Sequence, residues 1–113
     1  MQVEARIRQP TSANANGQYP VLKRIELIVG GKHEDGSLQM QRRGFDATSW
    51  VLEGEWIVAR WSLPAPSQGG FVRVRGNSSG AVEALLDEPG EDPWEDLWFY
   101  SNPIFVGAAE TVR

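Results

Sequence analysis

One histidine, fifteen acidic residues and five tryptophans are the raw material from which this chain of 113 residues could build a reactive or binding site. The histidine, His33, stands beside Glu34 and Asp35. A hydrolytic metal centre needs several histidines and carboxylates converging on one point, and a single imidazole does not supply them. A serine triad would have to use the same histidine, and no strand-turn-helix motif of the GxSxG kind occurs. His33 therefore reads as a loop residue, and the chain as one without a catalytic centre of its own.

The acids are concentrated in DEPGEDPWED, which holds Asp87, Glu88, Glu91, Asp92, Glu95 and Asp96. Calcium takes six to eight oxygen ligands, so these six are candidate calcium ligands. Their spacing does not follow the alternate-position pattern of an EF-hand loop. The other reading is a solvated acidic loop, or a surface for a basic partner. Glu53 and Glu55 flank Gly54 just before Trp56, a paired-carboxylate arrangement that glycosidases use across a cleft. Here the two share one side of an extended segment, which reads as a turn entering a strand.

The tryptophans are Trp50, Trp56, Trp61, Trp94 and Trp98. Exposed aromatic platforms stack on sugars, yet small sandwiches also use tryptophan to fill the core. Trp61 shares its face with Ile57, Ala59 and Leu63 and is expected inside. The stretch DPWEDLWFYSNPIFV is different. Trp98 shares a face with Tyr100, and Leu97 shares the other with Phe99, so both faces are substantially apolar. That pattern predicts one face covered by the acidic insertion or by another domain. Trp94, Trp98, Phe99 and Tyr100 are the candidate partner-contact residues.

These side chains need a scaffold, and the chain reads as strands almost throughout. VEARIR alternates with period two, setting Val3, Ala5 and Ile7 on one face. TSANANGQYP has turn chemistry and predicts a crossing between sheets. VLKRIELIV sends Ile25, Leu27 and Val29 one way and Arg24 and Glu26 the other, and Gly30–Gly31 reads as a tight turn. A short strand is expected around Leu38–Gln41 and another over Ser49–Leu52. WIVARWSL is the strongest strand, stopped by Pro64. FVRVRG points Val72 and Val74 inward and Arg73 and Arg75 outward. AVEALL supports no more than a brief helical turn. LWFYSNPIFV is the last strand, with Asn102–Pro103 marking an edge or a bulge. FVRVRG and LWFYSNPIFV are expected to pair as a hairpin, with the acidic insertion at its tip. The predicted fold is all-β: a single immunoglobulin-like antiparallel β-sandwich over residues 1–113, of about seven strands, with an acidic loop insertion before the last.

Bulk properties narrow the function further. There are no cysteines, so disulfides and thiolate metal sites are excluded. Residues 1–82 carry ten Lys/Arg against seven Asp/Glu, whereas residues 83–113 carry one Arg against eight acids. A net charge of −4 and an acidic final quarter argue against nucleic acid, which needs a concentrated basic face. Two or three arginines on FVRVRG read as a solvated sheet face. MQVEARIRQP has no apolar targeting core, and no stretch is long enough to insert in a membrane. If a parent protein is exported, its signal is expected elsewhere.

Taken in order, KRIELIVGGK, SWVLEGEWIVARW, GGFVRVRGNSS and DPWEDLWFYSNPIFV resemble the C-terminal β-sandwich of large bacterial phosphoesterases of the PHP (polymerase and histidinol phosphatase) type. The likeness rests on Ile25–Gly30, Trp56–Arg60 and Ser101–Val106, and spans roughly residues 3 to 106. In that family a metal-dependent catalytic domain precedes a small all-β domain, and its catalytic residues lie in histidine-rich motifs that this chain lacks. The resemblance implies a non-catalytic accessory domain that packs on, or positions substrate for, the catalytic domain of its own parent chain. The alternative expectation is a free-standing binding module for carbohydrate or calcium.

Overall fold

Period-two alternation makes strands wherever one face can be buried, and eight form here. They are β1 (Gln2–Arg8), β2 (Arg24–Lys32), β3 (Leu38–Phe45), β4 (Val51–Glu53), β5 (Trp56–Ser62), β6 (Gly70–Asn77), β7 (Trp98–Tyr100) and β8 (Ile104–Val106). The computed structural model describes residues 1–9, 12–13, 17, 21–80 and 98–107. Among them there is no helix, and so none long and apolar enough to cross a membrane. The predicted turn at AVEALL lies outside the described residues, as do Trp94 and the acidic run from Asp87 to Asp96.

The strands form two antiparallel sheets, one ordered β1-β5-β4 and the other β3-β2-β6, with β7 and β8 both paired to β6. The all-β sandwich is therefore as the alternation predicts. β1 and β2 belong to different sheets, which is what the turn residues between them predict. Val3, Ala5, Ile57, Ala59 and Leu63 from the smaller sheet bury against Ile25, Leu27, Val29, Phe45 and Val72 from the larger. Trp50 and Trp61 pack against this cluster, so two of the five tryptophans serve the interior.

Local chemistry sets the corners. Asp46 carries the chain from β3 to β4: its carbonyl accepts the Ser49 and Trp50 amides at 3.0 Å each. Its carboxylate accepts the Thr48 amide at 2.9 Å. The Thr48 hydroxyl, first among these contacts, holds the Asp46 carboxyl below its ordinary value. Gly54 has a φ of 61° in the two-residue connection between Glu53 and Trp56, a left-handed conformation that costs glycine little. The Glu53-Gly54-Glu55 turn expected before Trp56 is thus present.

Two expectations are corrected. Gly30 and Gly31 do not turn the chain; they lie inside β2, paired to Met40 and Gln39 on one side and to Phe71 and Gly70 on the other. Small residues are needed there because the Phe71 ring and Pro66 lie over them. A Cβ on Gly30 would come 2.4 Å from Phe71 Cε1, and one on Gly31 2.3 Å from Pro66 Cβ. The reversal falls later, at His33–Ser37, where the His33 amide donates to the Ser37 carbonyl at 2.9 Å. The short strand expected over Leu38–Gln41 continues to Phe45, because its whole length pairs with the extended β2.

Candidate functional site

The outer face of the larger sheet holds the densest chemistry among the described residues. Cross-strand partners in an antiparallel pair share a face. Glu26 stands opposite Gly44 on β3 and Arg75 on β6, and Arg75 stands opposite Tyr100 on β7. Beside this row, Arg24 pairs with Asn77, which pairs with Trp98. On the other side, Ile28 lies between Arg42 and Arg73. Four arginines thus share one face with a single glutamate.

That glutamate is enclosed. The Glu26 side chain is 4% exposed. Arg75 donates to its Oε1 from Nε at 3.1 Å and lies within 3.0 Å through Nη2. Arg24 Nη2 donates to Oε2 at 3.2 Å, and Arg42 Nη1 lies 4.0 Å from Oε1. The missing side chain at Gly44 makes the room: a Cβ there would come 2.3 Å from Arg24 Nη2. Arg24 Nε is buried without a hydrogen-bond partner among the described residues. A buried carboxylate of this kind holds neighbouring guanidinium groups in fixed positions, at a desolvation cost that the multiple contacts offset.

Aromatic residues continue the row. The Arg75 guanidinium carbon lies 5.4 Å from the Trp98 ring centroid, within cation–π range. The Trp98 and Tyr100 rings are 6.2 Å apart and 15° from parallel. Tyr100 is 57% exposed. Phe99 points to the opposite face, where its ring sits over Gly76: a Cβ at that glycine would come 2.4 Å from Phe99 Cε1. Of the four predicted contact residues, Trp98 and Tyr100 therefore share the arginine face, and Phe99 packs inward. Trp94 lies outside the described residues.

The expected irregularity at Asn102–Pro103 is a β-bulge. Arg75 pairs with Tyr100 and Val72 with Ile104, so Arg73 and Val74 face three residues, Ser101, Asn102 and Pro103. Ser101 bridges the break. Its amide donates to the Val74 carbonyl at 2.8 Å, and its hydroxyl accepts the Val74 amide at 2.9 Å. The extra residue turns Ile104 and Val106 to the inner face and Phe105 to the outer one.

A second ionic cluster covers the outer face of the smaller sheet. Glu4 and Glu53 alternate with Arg6 and Arg60 in a closed ring of contacts between 2.7 and 3.1 Å. The Arg6 guanidinium, followed by that of Arg60, holds the Glu4 carboxyl below its ordinary value. Arg60 does the same to Glu53. Arg8 pairs with Glu55 at 2.6 Å. Glu53 and Glu55 are thereby occupied by arginines, not presented to a cleft. His33 pairs with Gln39 at the open mouth of its hairpin. No group of three or more His, Asp or Glu side chains positioned for a metal ion occurs among the described residues.

Glu26 and its arginines are the residues that sequence reasoning missed. Arg24 and Glu26 were assignable to one face of β2, and Arg75 to the outside of β6. Nothing local aligns Glu26 with Arg75, residues separated by 49 positions. No known protein family, no curated protein and no solved structure matches the chain.

Proposed function

We propose that this chain is a non-catalytic, immunoglobulin-like accessory domain of a PHP-type phosphoesterase, packing on the catalytic domain of its parent chain through the outer face of the larger sheet. The observation that carries the reading is the row Glu26–Arg75–Tyr100 with Trp98. A buried carboxylate locks guanidinium groups beside aromatic rings on a sheet face that ends in an exposed tyrosine. Interface centres favour arginine, tryptophan and tyrosine held in this way, because little side-chain entropy is lost on docking. The three segments that carry the family resemblance lie within or beside β2, β5 and β8, so that resemblance is one of strands and not of catalytic groups.

Immunoblotting of source cells with an antibody to this domain tests the reading. A band several times larger than 12.6 kDa is expected, and a band at 12.6 kDa would overturn it. In the parent protein, Tyr100→Ala is expected to loosen the domain from its neighbour, read as faster proteolytic release, with little change in the melting temperature of the isolated domain.

The near-parallel Trp98 and Tyr100 rings favour one second reading, a carbohydrate-binding module in which a sugar ring stacks on the pair. It predicts a saturable change in tryptophan fluorescence on adding glycans, lost in Tyr100→Ala. The candidate calcium ligands lie outside the described residues, and a calcium-dependent rise in melting temperature is the measurement for them.

A further inference from the structure

Among the described residues the two sheets differ in width, and the mismatch leaves a strand-sized gap. The smaller sheet ends at β1, which among the described residues pairs only with β5. Beyond that edge, the inner face of β6 and β8 is left partly uncovered. Ile104, on that inner face, is 69% exposed. Between the β1 edge and this face runs a groove of about 300 Å³ floored by Val72, Val74, Ile104 and Val106.

The backbone of β1 is oriented to receive a strand there. Met1 and Leu63 exchange two hydrogen bonds, Met1 N to Leu63 O at 2.8 Å and Leu63 N to Met1 O at 2.9 Å. Antiparallel ladders alternate between pairs that exchange bonds and pairs that do not. Val3, Ala5 and Ile7 therefore bond to β5, while the amides and carbonyls of Gln2, Glu4, Arg6 and Arg8 face the open edge. QVEARIR contains no proline, glycine or bulge, so its backbone is competent to pair, and its guards are the charged side chains Glu4, Arg6 and Arg8.

We propose that the β1 edge is a docking site for an extended segment of another polypeptide, added antiparallel as one more strand. The segment's inward side chains, apolar at alternate positions, fill the groove over Val72, Val74 and Ile104. Its outward side chains extend the ion-paired row along β1, where Arg6 and Arg8 already contact Glu53 and Glu55 and Glu4 contacts Arg60: acids opposite Arg6 and Arg8, a base opposite Glu4. This combination of free ladder groups, apolar floor and ordered charge fits strand addition better than a helix, which would leave the ladder groups unpaired. A second copy of this chain is disfavoured, because its own wider sheet would have to share the space that β8 already occupies. The proposal is independent of the arginine face, which lies on the opposite side of the larger sheet.

The test uses a fluorophore-labelled peptide, Glu-Val-Glu-Val-Lys-Val-Thr, whose first residue lies opposite Arg8 and whose last lies opposite Gln2. A control is N-methylated at its second Glu and its Lys, the central amides that face β1. Anisotropy titration is expected to show saturable binding below about 1 mM, weakened at least about tenfold by methylation, which removes ladder donors but no apolar surface. Ile104→Glu in the protein is expected to weaken binding by at least about tenfold, with the melting temperature unchanged because the side chain is already exposed. Absence of saturable binding, equal affinity for the methylated peptide, or undiminished binding to Ile104→Glu would each overturn the proposal. A stable dimer that the peptide fails to dissociate, seen by sedimentation, would assign the edge to a second copy and overturn it likewise.

Discussion

Replacing Glu26 with alanine should be the most damaging single change on the outer face of the larger sheet. The carboxylate is 4% exposed and lies against Arg24, Arg42 and Arg75. The Arg75 side chain is only 12% exposed, and removing Glu26 takes away its contacts to that carboxylate at 3.1 and 3.0 Å while keeping it beside two like charges. Removing one partner of a buried ion pair costs about 3–5 kcal/mol. Arg24 and Arg42 are more exposed, at 22% and 51%, and can turn toward water, which places the expected loss near the lower limit, about 3 kcal/mol. An unfolding entropy of about 2.1 cal/mol/K per residue, applied to a chain of this length, converts that to a fall in melting temperature of about 13 °C. Thermal melts followed by circular dichroism and by tryptophan fluorescence measure it. The shift should persist in high salt, because buried pairs are poorly screened. A fall of less than about 4 °C, equivalent to about 1 kcal/mol, would refute the view that Glu26 organises the arginines.

The exposed ring of Glu4, Arg6, Glu53 and Arg60 should respond to pH instead. Both carboxyls titrate below their ordinary value of 4.5 in the folded protein. The ring therefore stabilises the fold above that pH and loses its contribution as pH falls through the lower folded values. The melting-temperature difference between the unsubstituted domain and Glu53→Gln should be present near neutrality, shrink in acid, and shrink also with added salt. Gly70→Ala should be poorly tolerated, since its Cβ would come 2.0 Å from the Gly30 carbonyl oxygen and 2.8 Å from Gly31 Cα. Backbone must then separate between β2 and β6, and a loss of at least about 2 kcal/mol is expected in chemical denaturation. Ser101→Ala removes the hydroxyl that accepts the Val74 amide at the bulge, with an expected loss of about 1 kcal/mol because water can reach the edge. Faster amide exchange at Val74 would accompany it.

Much of this architecture is legible in local order. Alternation in VEARIR, RIELIV, WIVARWSL and FVRVRG is enough to assign strands and their buried faces, because side chains on a strand repeat every second residue whatever lies opposite. The same rule sets Trp98 with Tyr100 and separates them from Phe99. The Asn102–Pro103 step marks the bulge, since proline lacks the amide that the ladder requires. Composition also removes thiolate chemistry before any fold is known.

What the tertiary structure decided is every relation between distant strands. Gly30–Gly31 looks like a turn in sequence and is strand interior, because the demand for small residues comes from Phe71 and Pro66 packed over them. Arg75 looks like one of several solvated arginines and is largely buried, because the register of β2 on β6 sets it against Glu26. Among the described residues, the edge at β1 is open because one sheet has fewer strands than the other. Register, sheet width and close approach arise from pairings across tens of residues, and no window of local sequence contains both partners.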